Sequence, residues 1–384
     1  MRRLGNFLAS TLTGVCVVIL LNSCSQPRPA TTVTSLPKPS PLPAPQPHIV
    51  RAPELRGVWV SDTTKLDWDT ATANLQRAGF NTMYVNLASG GAAFYPNSGA
   101  LPSIVRDDAD PVAHGIQLAH TRGLAVHAKQ IVTFMYKAPP AFQHQLLAQN
   151  RVMRGPDGHP ILQSGNTWLC PSVPANRALI ENSVTEMVRR YPVDGVQFDY
   201  IRFCEQPSCY CENCRRDFEK SIGTHLRHWP ESVMQGAYVT KFNDWRQQVI
   251  NSWVEDLATR ARLARPGLAV SAAVFPEIDR AKEEKAQDWK LWLDRGYVDY
   301  VCTMTYTPDL ADFEARVRKE QFTAPRNKLV VGIGSWKFDQ MTQLSAQITA
   351  TRQLGAPGFV LFSYDDSATR NFLPDLSGST AKNQ

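Results

Sequence analysis

The sequence lacks the patterns that are typical of nucleotide, nucleic-acid and zinc-protease chemistry. It has no run of basic residues, no glycine-rich phosphate loop and no His-Glu-x-x-His motif. Its eight histidines are scattered and show no convincing ligand spacing. We therefore expect no cofactor and no nucleic-acid partner.

Residues 1–23 have the order of a secretory signal peptide. Two arginines after Met1 are followed by an apolar stretch that ends at Leu21. This stretch is too short to cross a bilayer comfortably, which needs about 20 apolar residues. Removal of residues 1–23 leaves 39 basic and 35 acidic residues, and a net charge of +4 is too small to indicate nucleic-acid binding.

The segment Leu21-Asn22-Ser23-Cys24 resembles the lipobox of bacterial lipoproteins. This resemblance implies that Cys24 is acylated and becomes the first residue of the mature chain. Ser25, in place of aspartate, resembles the sorting signal for the outer membrane. We therefore expect an exported protein that is lipid-anchored in the cell envelope, in the outer membrane facing the periplasm. The alternative is an ordinary cleaved signal with a cysteine at this position.

Composition divides the rest of the chain into a linker, a domain and a tail. Residues 24–53 are rich in Pro, Ser, Thr and Ala and contain few large apolar residues, so they cannot bury enough surface to offset their ordering entropy. We expect them to form a disordered, extended tether. Residues 54–374 are numerous enough for one large α/β domain, and residues 375–384 are predicted to be a flexible tail.

Eight short runs rich in β-branched and aromatic residues alternate with amphipathic stretches, a pattern typical of repeated βα units. The runs are Arg56–Ser61, Thr82–Leu87, Leu124–Gln130, Val193–Ile201, Ala269–Phe275, Val298–Tyr306, Leu329–Trp336 and Gly358–Tyr364. Glycines that resemble helix C-caps precede several runs, at Gly79, Gly123, Gly296 and Gly355. Eight units predict a (β/α)8 TIM barrel better than an open doubly wound sheet.

In such a barrel the chemistry lies at the C-terminal ends of the strands. Strand alternation places Gly195, Gln197 and Asp199 on one face of the fourth run, and we expect that face to point to the barrel axis. A buried carboxylate is costly unless it is paired or can change its protonation state. Asp199 is therefore either catalytic or part of a salt bridge, most obviously with Arg202 or Lys129.

Five segments between about Glu54 and Asp366 share a pattern with a known family. They are ELRGVWVS, FNTMYVNL, YPVDGVQFDYIRF, QDWKLWLDRGYVDYV and GFVLFSYDD. They resemble the signature segments of the bacterial glycosyl-hydrolase-like family 10 lipoproteins, which have a (β/α)8 barrel. The resemblance implies that Asp199, on the fourth strand, is the catalytic residue. It also implies a substrate in cell-wall glycan, particularly peptide-free strands.

Hydrolysis of a glycosidic bond normally needs two carboxyl groups, one as acid and one as nucleophile or base. Glu277, directly after the fifth strand, is our first candidate for the second group. Asp366 after the eighth strand is the next candidate, followed by Asp365 and Asp62. Glu277 could instead be a solvated loop residue. If an acetamido group of the sugar takes part, no second enzyme nucleophile is required.

The candidate sugar contacts are polar and aromatic residues near the predicted rim. They are Asn86, Tyr95, Lys129, Gln197, Arg202, Tyr306 and Trp336. Sugar rings stack on aromatic faces, although most aromatic residues of a barrel pack in its core. Family members often have Pro-Gln-x-Tyr on the sixth strand, whereas this chain has Thr-Met-Thr-Tyr over 303–306. The tyrosine therefore remains, and Met304 replaces the glutamine.

Four cysteines fall within eleven residues after the fourth strand, at Cys204, Cys209, Cys211 and Cys214. Disulfides are the commoner use of cysteine in an exported protein, so we expect a disulfide-stapled loop, with Cys170 as a further participant. The alternative is a structural zinc site in which these four thiolates are the ligands. A catalytic metal is not expected, because the cluster has no histidine. Cys302 is predicted to be an inert buried thiol.

These observations favour an envelope-anchored glycoside hydrolase that acts on peptidoglycan glycan or another surface polysaccharide. The alternative is a non-catalytic glycan-binding lipoprotein that keeps the barrel but has lost a carboxylate. A third possibility is a deacetylase or another metal hydrolase. The presence of a second carboxyl group near Asp199 is the feature that separates the first two.

Overall fold

The computed structural model describes residues 53–105, 110–205, 207–325 and 327–380. The predicted signal peptide, Cys24 and almost all of the predicted tether lie outside these ranges. Within the ranges, every helix is too short or too polar to span a membrane.

Eight parallel strands form a closed barrel. They are β1 (Leu55–Val60), β2 (Thr82–Ser89), β3 (Ala125–Ile131), β4 (Gly195–Asp199), β5 (Ala269–Val274), β6 (Tyr300–Met304), β7 (Leu329–Gly334) and β8 (Gly358–Phe362). Each strand pairs with the next, and β1 pairs with both β2 and β8, which closes the barrel. Every predicted run overlaps one of these strands. The predicted (β/α)8 barrel is therefore confirmed.

Helices occupy the connections between the strands. They are α1 (Trp68–Arg77), α2 (Pro111–Thr121), α3 (Pro140–Ala148), α4 (Pro174–Arg190), α5 (Glu212–Ile222), α6 (Glu231–Met234), α7 (Val239–Ala264), α8 (Ile278–Lys285), α9 (Trp289–Asp294), α10 (Leu310–Thr323), α11 (Met341–Gln353) and α12 (Ser367–Thr380). Two short 3-10 helices, Thr63–Lys65 and Ser335–Lys337, follow β1 and β7.

Local sequence explains where several helices begin and end. Asp67, Asp110 and Asp309 each precede a helix and accept a hydrogen bond from a backbone N–H of its first turn. Gly79 and Gly123 follow helices with φ angles of 76° and 71°, a left-handed conformation that glycine adopts without a Cβ clash. These caps determine where the chain turns back toward the next strand.

The barrel interior has its own apolar cluster, separate from the larger core between strands and helices. Its buried members are Trp59, Tyr84, Ala273, Cys302, Val330 and Val360. Gly195 on β4 also faces the interior, because a Cβ there would come within 2.2 Å of Nδ1 of His127. Strand alternation then directs Gln197 and Asp199 to the same side, as the sequence predicts.

Two long connections lie next to each other above β3 and β4. The first contains α3 and a hairpin of Leu162–Gln163 and Asn166–Thr167, and the second contains α5 and α6. The backbone N–H of Tyr210 in the second donates to the carbonyl of Arg154 in the first at 3.0 Å. The two connections therefore form one wall of the C-terminal face.

The end of the chain differs from the sequence prediction of a flexible tail over residues 375–384. Helix α12 continues past Pro374 to Thr380. Phe372, Leu373 and Leu376 are buried, so an apolar face holds this helix against the domain beyond the expected end. Residues 381–384 lie outside the described part of the chain.

Candidate active site

Asp199 is the last residue of β4, and only 8% of its side chain is exposed. Its Oδ2 atom lies 2.8 Å from Nζ of Lys129 on β3, whose side chain is 4% exposed. Its Oδ1 atom accepts a hydrogen bond from the backbone N–H of Tyr200 at 2.7 Å. Both carboxylate oxygens therefore have partners, and the salt bridge to Lys129 that the sequence left open as an alternative is present.

The backbone after Asp199 turns sharply. Tyr200 has a φ of 51°, a left-handed conformation that is uncommon for a residue with a Cβ. Its carbonyl accepts a hydrogen bond from Oγ1 of Thr133 at 2.5 Å, which ties this turn to the connection after β3. The turn and the ion pair hold the carboxylate of Asp199 in one position.

Gln197 supports this pair from inside the barrel. Its Oε1 atom accepts a hydrogen bond from Nε1 of Trp59 at 2.6 Å, and its Nε2 atom donates to Oγ of Ser271 at 3.4 Å. The ammonium of Lys129 lies 6.0 Å from the centroid of the Trp59 ring. Because Gln197 is fully buried, it positions neighbouring groups and is not exposed to a ligand.

Tyr306 and Trp336 form an aromatic wall on one side of the site. Their ring centroids are 4.9 Å apart in an edge-to-face arrangement, and Phe362 packs against both. Trp336 is 40% exposed. Burial, and secondarily the charge of Asp199, raise the pKa of Tyr306 well above its ordinary value. The phenol therefore stays protonated, and its pKa responds to the negative charge of Asp199.

Asn86 on β2 is paired with Lys129 on β3, and its side chain contacts Tyr136. Nδ2 of Asn86 donates to the carbonyl of Ser61 at 2.8 Å and to the Tyr136 hydroxyl at 3.4 Å. Oδ1 of Asn86 is buried and has no hydrogen-bond partner among the described residues. Burial raises the pKa of Tyr136 to about 12, and the negative charge of Asp199 adds to the effect. Tyr136 thus borders the same carboxylate as Tyr306.

Arg202 is embedded in aromatic rings and only 5% exposed. Its guanidinium carbon lies 4.6 Å from the ring centroid of Tyr200, 5.0 Å from that of Phe275 and 5.2 Å from that of Trp168. Its Nη2 atom forms an ion pair with Oε1 of Glu205 at 3.6 Å. Burial lowers the pKa of Arg202. The side chain therefore braces the wall after β4.

Glu277 stands at the edge of the site, directly before α8, with 34% of its side chain exposed. Its Oε1 atom lies 3.9 Å from Nη1 of Arg280 and 4.0 Å from Nη1 of Arg316. It lines a cavity of about 200 Å³ together with Met304 and Tyr306. Glu277 and Tyr306 therefore line one cavity, and the pKa of Tyr306 also responds to the charge of Asp199.

The other candidate carboxylates hold backbone groups. Asp366 accepts a hydrogen bond from the backbone N–H of Ala368 at 2.8 Å and so caps α12. Asp365 accepts hydrogen bonds from the backbone N–H groups of Ser61 and Asp62 at 2.6 and 3.1 Å, which joins the connections after β8 and β1. Asp62 in turn caps the short helix that follows β1. These contacts give Asp366 a structural role at the position where the sequence suggested catalysis.

Tyr95 is separated from the other candidate sugar contacts. Its ring is fully buried and lies 5.4 Å from that of Tyr191 and 5.2 Å from the guanidinium of Arg190. These residues are at the C-terminal end of α4, at the opposite end of the barrel from Asp199. The carboxylate of Glu186 accepts hydrogen bonds from the backbone of Gly99 and Ala100, and so anchors this loop against α4.

Sequence reasoning missed two residues of the site, Trp59 and Tyr136. Trp59 lies inside the first predicted strand, two residues after Gly57, so strand alternation could have identified it as inward-facing. Tyr136 lies in the long connection after β3, where no periodicity indicates which side chains turn back toward the axis.

Four cysteines of the wall above β3 and β4 form a compact group, which we call the four-cysteine cluster. Its members are Cys170, Cys209, Cys211 and Cys214, whose sulfur atoms all lie within 4.8 Å of one another. All four are buried free thiols. The zinc ligand set that the sequence offered as the alternative differs from this cluster at one position. Cys204, whose Sγ contacts Oγ of Ser208 at 3.1 Å, is outside the cluster, and Cys170 takes its place.

Comparison with known proteins decides the family. The sequence profile of the family described as Glycosyl hydrolase-like 10 matches residues 54–350. The chain belongs to this family. The resemblance inferred from the five sequence segments is thereby confirmed.

Relatives and solved structures agree with this family membership. Glycosyl hydrolase DigH of Escherichia coli K12 is 23% identical over 86% of this chain and 83% of its own length. Glycosyl hydrolase YngK of Bacillus subtilis is 21% identical over 66% of this chain and 54% of its own length.

Two solved structures show the same fold. The glycoside hydrolase domain of PgaB (BpsB) from Bordetella bronchiseptica has a TM-score of 0.67 at 15% identity, over 85% of this chain and 98% of that domain. Alpha-L-fucosidase isoenzyme 2 from Paenibacillus thiaminolyticus has a TM-score of 0.64 at 16% identity, over 85% of this chain and 49% of the fucosidase. Family and fold together support a glycosidase with a polysaccharide substrate.

Proposed function

We propose that this family member is an envelope-anchored glycoside hydrolase that cleaves glycosidic bonds in peptidoglycan glycan strands or another surface polysaccharide, with Asp199 as a catalytic carboxylate. One observation supports this most directly. Asp199 is a buried carboxylate fixed at the C-terminal end of a barrel strand, beside an aromatic wall that reaches solvent at Trp336. Enzymes with this fold have their catalytic groups at such positions.

The contacts of Asp199 indicate how it would act. The ammonium of Lys129, at 2.8 Å, compensates the negative charge of the carboxylate. An ionised carboxylate can attack or stabilise a positively charged anomeric carbon, or orient the acetamido group of a sugar that performs the attack itself. A different group must protonate the leaving oxygen. We propose Glu277 for that step, because it lines the cavity that also contains Tyr306.

The decisive experiment incubates the purified chain with denuded and with peptide-bearing cell-wall glycan and identifies the released fragments by mass. We expect the chain to release fragments, preferentially from denuded strands, and Asp199→Asn to release them about a hundredfold more slowly or not at all. Asp256→Asn is the matched control, because this carboxylate lies on α7 and is 54% exposed in an ion pair with Arg177. Unchanged product release by Asp199→Asn would refute the proposed catalytic role of Asp199.

A non-catalytic glycan-binding protein is the second candidate, and one observation favours it. Both Asp199 and Glu277 already have cationic partners, which are Lys129 for the first and two arginines for the second. In a purely binding protein, glycan would bind to the wild type without the release of fragments. Measurement of binding beside fragment release separates the two functions.

Envelope anchoring is proposed from the sequence alone, through acylation of Cys24. Cells that express the full chain should incorporate labelled palmitate into the protein, and Cys24→Ala should abolish the label. Incorporation that persists in Cys24→Ala would remove Cys24 as the lipid attachment site.

A further inference from the structure

The four-cysteine cluster is placed by two separate parts of the chain. Cys170 belongs to the connection between β3 and α4. The other three cysteines of the cluster lie just before α5 or in its first turn, in the connection after β4. The Sγ atom of Cys170 lies 3.5 Å from that of Cys211 and 3.4 Å from that of Cys214. One sulfur is therefore almost equally close to two others.

These distances fit four ligands around one ion better than two disulfides. Zinc binds cysteine sulfur at about 2.3 Å in a tetrahedron, so neighbouring sulfurs are about 3.8 Å apart. In a disulfide the two sulfurs are about 2.05 Å apart, and each has a single partner. Cys170 has two near neighbours at similar distances, whereas a disulfide would give it one.

The surroundings of the cluster favour thiolates. Cys211 is the N-cap residue of α5 and Cys214 lies in the first turn of this helix, where the partial positive charge lowers the cost of a thiolate. The backbone N–H of Arg154 donates to Sγ of Cys209 at 3.3 Å.

A buried cation, Arg246, lies near the cluster. Arg246 on α7 is only 8% exposed, and its Nε atom has no hydrogen-bond partner among the described residues. Burial lowers the pKa of Arg246, and the charges of Tyr210 and Cys204, followed by those of Cys214 and Cys209, oppose that effect. Four thiolates around a divalent ion carry a net charge of −2, which a buried guanidinium would partly neutralise.

We propose that the four-cysteine cluster binds one structural zinc ion through four thiolates. Four thiolates in a tetrahedron are typical ligands of zinc, and four protein ligands complete the coordination of a structural zinc site. The ion would join the connections after β3 and β4. It would thereby hold Trp168, two residues before Cys170, against Phe134, whose ring centroid is 4.6 Å away.

The first test is the metal content of the full chain, purified without chelators and without added metal. We expect one zinc ion per chain by elemental mass spectrometry, and loss of zinc in Cys170→Ser. Cys204→Ser is the matched control, because Cys204 is also buried and lies in the connection after β4 with the other three cluster cysteines, but outside the cluster. It should retain the zinc. Full zinc content in Cys170→Ser, or iron in place of zinc in the wild type, would overturn the proposal.

A second test uses only the wild-type chain, so it does not depend on how the variants fold. Titration with a mercurial reagent should release zinc in proportion to the modification of four thiols, as followed with a metal-sensitive dye. Exchange of zinc for Co²⁺ should give thiolate-to-metal charge transfer and the intense visible bands of a tetrahedral site. A metal-free chain whose intact mass shows disulfides at these cysteines would refute the site. None of these readouts requires glycosidase activity.

Discussion

The ion pair between Lys129 and Asp199 allows a quantitative test of how the site is held together. Nζ and Oδ2 are 2.8 Å apart, and the two side chains are 4% and 8% exposed. Removal of one member of a buried pair leaves an uncompensated charge, which costs about 3–5 kcal/mol. Asp199 keeps the hydrogen bond from the Tyr200 N–H in a Lys129→Met protein. We therefore expect a loss near the lower end of that range, about 3 kcal/mol.

A double-mutant cycle separates the pair from its surroundings. Asp199→Asn leaves the ammonium of Lys129 buried and should cost about 3 kcal/mol as well. The double variant contains neither charge, so its loss should be smaller than the sum by about 2 kcal/mol. Urea unfolding of the four proteins, followed by tryptophan fluorescence, measures each free energy of unfolding. Losses that add to within about 0.5 kcal/mol would refute the idea that the two charges stabilise each other.

An exposed pair on the same domain provides the matched comparison. Lys290 and Asp294 on α9 are 2.5 Å apart, closer than the buried pair, but their side chains are 48% and 45% exposed. Solvent screening should limit their coupling to about 0.5 kcal/mol. Equal coupling in the two cycles would mean that distance, and not burial, determines the strength of the Lys129–Asp199 interaction.

Three further predictions concern the barrel interior, pH and the aromatic wall. Gly195→Ala should lower the urea midpoint and cost about 1–3 kcal/mol of the free energy of unfolding, because the added Cβ would lie 2.2 Å from Nδ1 of His127. An unchanged midpoint would show that the His127 ring can move aside. Burial raises the pKa of Glu320 from 4.5 to about 7, so its contribution to stability is full below pH 4.5 and is lost as pH rises through 7. This loss is about 3 kcal/mol, and it should disappear from the pH profile of unfolding in Glu320→Gln. Trp336→Ala should raise KM for glycan about tenfold with little change in kcat. The reason is that the aromatic wall should contribute about 1.4 kcal/mol of binding free energy equally in the ground and transition states. A tenfold fall in kcat would contradict a binding role.

The fold was predictable because its signals are local and repeated. Each strand requires only a short run of β-branched and aromatic residues, and caps such as Asp110 and Gly123 indicate the helix ends within a few residues. Strand alternation also placed Gln197 and Asp199 on the inner face. The same reasoning allowed a salt bridge with Lys129, because adjacent parallel strands bring their C-terminal ends to the same rim.

The parts of the site that sequence reasoning missed depend on long connections. Cys170 lies 39 residues before Cys209 in the chain, and only the side-by-side arrangement of β3 and β4 brings their connections together. Tyr95 could not be separated from the rim residues, because Glu186 on a distant helix anchors its loop at the far end of the barrel. No periodicity in the sequence reports either contact.

The third and fourth βα units are joined at several levels around the candidate catalytic residue. Lys129 meets Asp199 at the rim, and directly above it Oγ1 of Thr133 meets the carbonyl of Tyr200. The four-cysteine cluster joins the two connections further out. The first two links fix the turn after Asp199, and the cluster fixes the connection that follows this turn. Removal of the proposed zinc ion should therefore displace the wall that contains Trp168 before it disturbs the strands, since the strands keep their own hydrogen bonds and interior packing.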